Sequence, residues 1–243
     1  MTPPLFLVPE LGVGDTIVLT GAEAHHAATV KRLSVGEPAL LADGHGGLAE
    51  VRANQVSPDR VVFQVLSRRS PARPAPRLVV VQALPKGERA ELAVELLTEL
   101  GVDEIVPWSA ARSISQWKGD RVAKGLAKWQ RTAQAAAKQS RRAWIPEVSE
   151  LAGSAQVAGR IAAAGLALLL HEEADEPLSR VAVPAGGEVL LVVGPEGGLT
   201  PEELALFTGS GGRPVRLGAE VLRTSTAGAA ALAVLSVSLG RWG

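Results

Sequence analysis

The chain has 243 residues, with 25 Lys plus Arg set against 25 Asp plus Glu, and 47% of its residues are hydrophobic. That length fits one large domain or two small ones, and this many apolar side chains exclude a globally disordered protein. There is no cysteine, which removes disulfides, thiolate metal centres, iron–sulfur clusters and cysteine nucleophiles together. Four scattered histidines do not suggest a zinc centre, so no metal is expected.

The first residues, MTPPLFLVPELGVGD, lack a basic start and carry prolines within the short apolar run, unlike a signal peptide. The longest weakly polar stretch, 227–240, contains two serines and falls short of the roughly 20 residues a bilayer requires. A cytoplasmic protein without a membrane partner is the expectation. In chain order, short β-type runs cover 16–19, 39–42, 48–53 and 61–66, and one helix is expected over 21–33. This reads as a small β-barrel or sandwich. Three prolines within 71–76 forbid a helix and favour an extended tether, placing a boundary between domains 1–72 and 73–243.

Beyond the tether, apolar runs at 78–83, 104–108, 166–170, 189–193 and 214–217 alternate with helical patterns. Continuous apolar strands of this kind belong to a parallel sheet covered on both faces, so the second domain is α/β. Ala93, Leu96, Leu97 and Leu100 recur at helical spacing, and Gly101 stands where that helix ends.

Three segments carry candidate chemistry. The strand at 189–193 runs into Gly194, Pro195, Glu196, Gly197 and Gly198, after which Thr200, Pro201 and Glu203 form a capping box opening a helix. Ligands of open α/β sheets bind outside the carboxyl ends of strands, and glycines let backbone approach a ligand closely. The loop has neither the P-loop pattern nor that of a dinucleotide fold, and Glu196 repels phosphates, so a phosphate-free or cationic ligand suits it. The second segment passes from Leu217 and Gly218 through Leu222 and Arg223 to Thr224, Ser225 or Thr226, which can cap a small-residue helix running to about 239. Its smooth Ala227-to-Ala231 face suits close packing, against either another backbone or a dimer partner. The third is basic: 112–142 holds nine cations and one anion. On a helix, Lys124, Lys128, Arg131, Lys138 and Arg142 fall within roughly 80° of one another, without acidic partners one turn away. A phosphate backbone is the natural counterpart of such a stripe.

Gly194-Pro-Glu-Gly-Gly198, followed by Leu217-Gly and Leu222-Arg-Thr-Ser-Thr-Ala227, resembles the 16S ribosomal RNA uridine-N3 methyltransferases of the SPOUT class. Further matches are His26 with Val30-Lys-Arg-Leu33, Asp43-Gly44, Lys86-Gly-Glu-Arg89, Thr98-Glu-Leu-Gly-Val102, Pro107, Arg112-Ser113 and Gln139 to Pro146. The family usually has Glu where this chain has Ser225, and often Arg where it has Thr29. The resemblance implies a PUA-like RNA-binding barrel followed by a trefoil-knotted methyltransferase domain that works as a homodimer. It also implies S-adenosyl-L-methionine held by Leu170, His171, Gly194 to Gly198, Leu217, Gly218, Leu222 and Thr224 to Ala227. The uracil anion falls to Arg223 first and Arg142 second. Contacts to 16S rRNA or the small subunit fall to Lys31, Arg32, Lys86, Arg89, Arg112, Lys124, Lys128, Arg131, Lys138 and Arg142. Rival readings are a SPOUT enzyme with another target and a non-catalytic RNA-binding assembly factor.

Overall fold

The structure, a computed structural model, describes residues 2–242. It divides into two compact units, one formed by 1–73 with 137–145 and the other by 74–136 with 146–243.

The first unit is a five-stranded sheet of order β1-β3-β4-β5-β2, made of β1 (Leu5–Leu7), β2 (Thr16–Thr20), β3 (Pro38–Ala42), β4 (Leu48–Ser57) and β5 (Arg60–Arg69). β1 and β3 run parallel and the remaining pairs are antiparallel. Alternation sends Ile17 and Leu19 inward to Phe6, Leu41, Val51 and Phe63. Irregularities at Glu50/Val51 and Ala53/Gln55 add the local twist that curls the sheet around this core. β1 is too short, and too closely flanked by prolines, to show in the sequence.

The single helix expected over 21–33 is instead α1 (Gly21–His25) followed by a π-helical turn, His26–Val30. There the ladder slips by one residue, so the Lys31 N–H donates to the His26 carbonyl at 2.9 Å. Arg32, at φ 53°, ends the helix. Residues 137–145 complete this unit: Trp144 bridges to His45 and donates from Nε1 to the Pro71 carbonyl at 3.2 Å. Gly46 has no Cβ because one would lie 2.3 Å from the Trp144 ring.

The second unit is a six-stranded sheet of order β11-β9-β10-β6-β7-β8. Its strands are β6 (Arg77–Ala83), β7 (Glu104–Trp108), β8 (Glu147–Val148), β9 (Leu166–Leu170), β10 (Glu188–Val193) and β11 (Arg213–Val215). Every adjacent pair is parallel. Helices α2 (Arg89–Glu99), α3 (Asp120–Gln139) and α6 (Thr224–Ser238) send Leu97, Trp129 and Leu232 to one face. On the other face, α4 (Ser154–Ala163) and α5 (Pro201–Gly209) supply Val157, Ile161 and Phe207. The central strands are apolar at every position because both their faces are covered. Among the described residues no helix is long and apolar enough to cross a membrane.

An ionic cluster closes the amino ends of the strands. Glu104, 2% exposed, takes Arg77 at 2.8 Å and Arg160 at 2.7 Å, and also accepts from the Ser149 hydroxyl. Burial pushes its pKa up, but the Arg160 and Ser149 hydrogen bonds and the charges of Arg160 and Arg77 outweigh this and hold it below the ordinary 4.5. Because the folded pKa is depressed, the associated stability is present above pH 4.5 and is lost as the pH falls through the folded value. Glu104→Gln is therefore expected to destabilise the chain by about 2–3 kcal/mol at pH 7. The deficit relative to wild type should shrink below pH 4.5, as followed by denaturant titration across pH.

Candidate active site

At the carboxyl ends of β9 and β10, three loops surround a cavity of about 320 Å³. Leu170 ends β9 and is followed by His171 and Glu172, the segment from Val193 to Leu199 runs on from the end of β10, and 221–227 holds the approach to α6 and its first turn. The size falls within the range of small-molecule and cofactor sites.

Each wall has a local cause. Gly198 sits at φ 69°, a left-handed conformation that an L side chain would strain, and it turns the chain toward α5. The α5 capping box forms as expected: Thr200 Oγ1 accepts from the Glu203 N–H at 3.1 Å, and the Glu203 carboxylate accepts from the Thr200 N–H at 3.2 Å. Glu203 is nearly buried and does more than cap. Its Oε1 also accepts from the Ala111 N–H and the Ser154 hydroxyl, each at 2.9 Å, fastening the 109–113 segment and α4 to the site loop.

The expected cap of α6 differs from what is found. Arg223 occupies the N-cap position without a side-chain cap bond, and Thr224 and Ser225 are buried in the first turn. Thr226 turns its hydroxyl back to the Arg223 carbonyl at 3.1 Å. Buried Gln82, absent from the sequence-derived candidates, donates to the Thr224 carbonyl at 3.2 Å and so ties α6 to β6. The smooth face of α6 serves packing within the unit. A Cβ on Gly228 would lie 3.0 Å from Leu97 and 3.2 Å from Val193, so glycine lets the helix approach the sheet.

Most expected cofactor-site residues gather here. Leu170, His171, Gly194, Pro195, Glu196, Gly198, Leu222, Arg223, Thr224, Ser225 and Ala227 line the cavity. Leu217 and Gly218 line a smaller adjoining recess of about 70 Å³. Gly197 and Thr226 do not line either one. Gly197 packs on Arg112, whose Cβ would lie 3.1 Å from an added Cβ. Glu172, Val193, Leu199 and Val221 also line the cavity, and nothing in their residue types marks them in the sequence. Glu196 Oε1 accepts from the Lys86 N–H at 3.1 Å, closing the 84–88 turn onto the site. His171 Nδ1 accepts from the Glu173 N–H at 3.2 Å. In the neutral ring this leaves the proton on Nε2, so His171 offers a donor toward its surroundings and no base.

The basic residues divide. Arg89, expected among the RNA contacts, is exposed and lines the cavity. Arg112 donates to the Gly197 and Leu199 carbonyls at 3.0 and 3.2 Å, so it shapes the loop. The unneutralised stripe needs correction. Lys128 pairs with Glu91 and Lys138 with Glu23, both at 2.7 Å, because acidic partners come from elements remote in sequence. Arg142 lies beyond the end of α3 at Gln139, in the first unit, and is not among the cavity-lining residues. Lys124 and Arg131 are exposed and form no ion pair among the described residues. In the first unit, Lys31 and Arg32 are exposed beyond the π-helical turn. His26 beside them is held below its usual 6.5 by partial burial and by the Lys138 charge.

Loss of the Arg112 bonds should loosen the site loop. Arg112→Ala is expected to speed amide hydrogen exchange over 194–199 by about tenfold, consistent with about 1–2 kcal/mol of local stability. The sheet core should keep its protection.

Comparison with known proteins agrees with this arrangement. Residues 72–236 match an RNA methyltransferase domain family and 19–66 an RNA methyltransferase PUA domain family. The ribosomal RNA small subunit methyltransferase E of Mycobacterium tuberculosis is 45% identical over 247 residues, covering 100% of this chain and 94% of that protein. The Bacillus subtilis protein of the same name is 31% identical, with 91% and 90% covered. The crystal structure of the Neisseria gonorrhoeae protein of that name, bound to S-adenosyl methionine, superposes with a TM-score of 0.86 at 28% identity, covering 97% of this chain and 98% of that one. Fold, site and similarity over the whole length lead to one conclusion: the chain belongs to the ribosomal RNA small subunit methyltransferase E family.

Proposed function

We propose that this protein methylates N3 of a uridine in 16S ribosomal RNA, using S-adenosyl-L-methionine. The observation that carries the reading is the cavity at the carboxyl ends of β9 and β10, lined by small residues and backbone, in a chain related over its full length to a protein solved with that cofactor. The residues fit such a group. It has no phosphates and carries a sulfonium charge, and the cavity offers Glu172 and Glu196 but no phosphate-binding glycine–lysine loop. Leu170, Gly194, Gly198, Leu222, Thr224, Ser225 and Ala227 would hold it, mostly through backbone and shape.

The bound cofactor supplies a methyl carbon to the uracil N3 lone pair, and the pair of the breaking S–C bond stays on sulfur as a neutral thioether. For that step N3 must first be free of its proton and of its pairing partner, so the base has to be unpaired or extruded. Arg223 at the cavity stabilises the resulting anion by charge. Residues 1–72 bind RNA through the PUA-like unit, and 73–243 form the catalytic, knotted domain. Lys31, Arg32, Lys124 and Arg131 contact phosphates. The reading puts the protein in the cytoplasm with its rRNA, as a homodimer. Exposed Val237 and Trp242, at and just beyond the end of α6, are apolar surface that supports the last point.

Methylation of small-subunit particles and of naked rRNA, with nucleosides read by mass spectrometry, is expected to give 3-methyluridine at one mapped position. A different methylated nucleoside would favour another SPOUT target, and absent cofactor binding in calorimetry would favour the non-catalytic assembly factor. The double variant Lys124→Gln/Arg131→Gln should reduce the log–log salt slope of RNA binding by about 2 while leaving cofactor affinity unchanged. Light scattering is expected to return twice the chain mass, and a monomer at working concentration would remove the dimer.

A further inference from the structure

Two exposed arginines line the cavity, and neither has a committed partner. Arg89 is the first residue of α2, reached through Gly87 at φ 61°, and Arg223 is the N-cap residue of α6. They come from points 134 residues apart in the chain (223 less 89) and line one cavity. Neither makes an ion pair or a side-chain hydrogen bond among the described residues. By contrast, Arg77, Arg160 and Arg213 are all paired with carboxylates. The cavity's own carboxylates, Glu172 and Glu196, lie beyond ion-pair distance of both arginines.

We propose that Arg89 and Arg223 together bind the N3-deprotonated uracil, which makes Arg89 a second catalytic residue. The proposal rests on the uridine-N3 reading above. Deprotonation of N3 spreads one negative charge over the ring oxygens O2 and O4, which flank N3 on either side. One guanidinium serves each oxygen, leaving N3 itself open toward the methyl donor. Two cations beside the imide oxygens favour its anion and lower its pKa, whereas the neutral base gains less.

The alternative, a general base, has no candidate on the cavity wall. His171 accepts a hydrogen bond at Nδ1, so its outward nitrogen is a donor when the ring is neutral. Glu196 is engaged by the Lys86 N–H, and a carboxylate such as Glu172 is a poor acceptor for an imide proton. The proton therefore leaves to solvent, and the rate follows the fraction of anion that the two arginines sustain. Guanidinium suits the task because it keeps its charge at any working pH.

The test uses the full chain with small-subunit particles from pH 6.5 to 9, measuring kcat and KM for wild type, Arg89→Ala and Arg89→Lys, alongside calorimetry with the cofactor. Arg89→Ala is expected to lower kcat by about 100-fold at pH 7, with KM for particles and cofactor Kd each within about threefold. The deficit should narrow as the pH rises, because N3 then ionises without help, and the rising limb should move up by about one to two pH units. Arg89→Lys should fall between wild type and alanine. Three results would overturn the proposal: unchanged kcat with raised KM, which makes Arg89 a phosphate contact; cofactor Kd raised tenfold or more, which assigns it to the methionine carboxylate; or a deficit independent of pH. Wild-type enzyme that binds cofactor but yields no 3-methyluridine overturns the uridine-N3 reading, and this proposal with it.

Discussion

The second unit depends on one constraint, the parallel pairing of all six strands. A parallel sheet cannot be closed by hairpins, so each connection crosses a face, and both faces are covered by helices. Only the two ends of the strands remain for polar work, and the ends are treated differently. At the amino ends, Glu104 gathers Arg77 and Arg160, and Asp103 accepts from the Leu78 N–H at 2.9 Å. Each of these charged groups finds its partner within the fold. At the carboxyl ends the chain turns through Gly194, Gly197 and Gly198, and the charged groups that line the cavity are left unpaired with one another.

That division explains why the site consists so largely of backbone and small side chains. The loops after β9 and β10 and the entry to α6 meet where no bulky residue fits. Gly228 brings α6 against Leu97 and Val193, while Gln82 ties its first turn to β6. Glu203 provides the stiffness the glycines cannot, caping α5 and fastening two further segments with one buried carboxylate. Arg112 has a related role from the opposite side of the loop. Its cationic type suggests RNA, but its partners are carbonyl oxygens of the chain itself.

The neutral total of 25 cations against 25 anions conceals a polarised chain. The segment 112–142 is strongly basic, whereas 143–243 holds six arginines against eleven acidic residues. Tertiary pairing then trims the basic segment, because Glu91 and Glu23 neutralise Lys128 and Lys138. Exposed Lys124 and Arg131 remain on the helix surface, so fewer phosphate contacts are available there than the helical stripe suggests.

Local pattern alone determined the apolar strands, the capping box at Thr200 and the glycine loop after β10, since each depends on neighbours within a few residues. Motif combinations spread along the chain were enough to indicate the family. Short or proline-flanked elements such as β1 and β8, and the slip from α1 into a π-helical turn, left no periodic signal. Tertiary structure alone decided which charges are spent on the fold and which face the cavity. Arg112 and Arg89 are both arginines in motifs of the same apparent kind, yet one is held by carbonyl oxygens and the other lines the site. The physical reason is that a side chain's partner is set by what packs beside it across more than 80 residues of chain, and no local spacing encodes that.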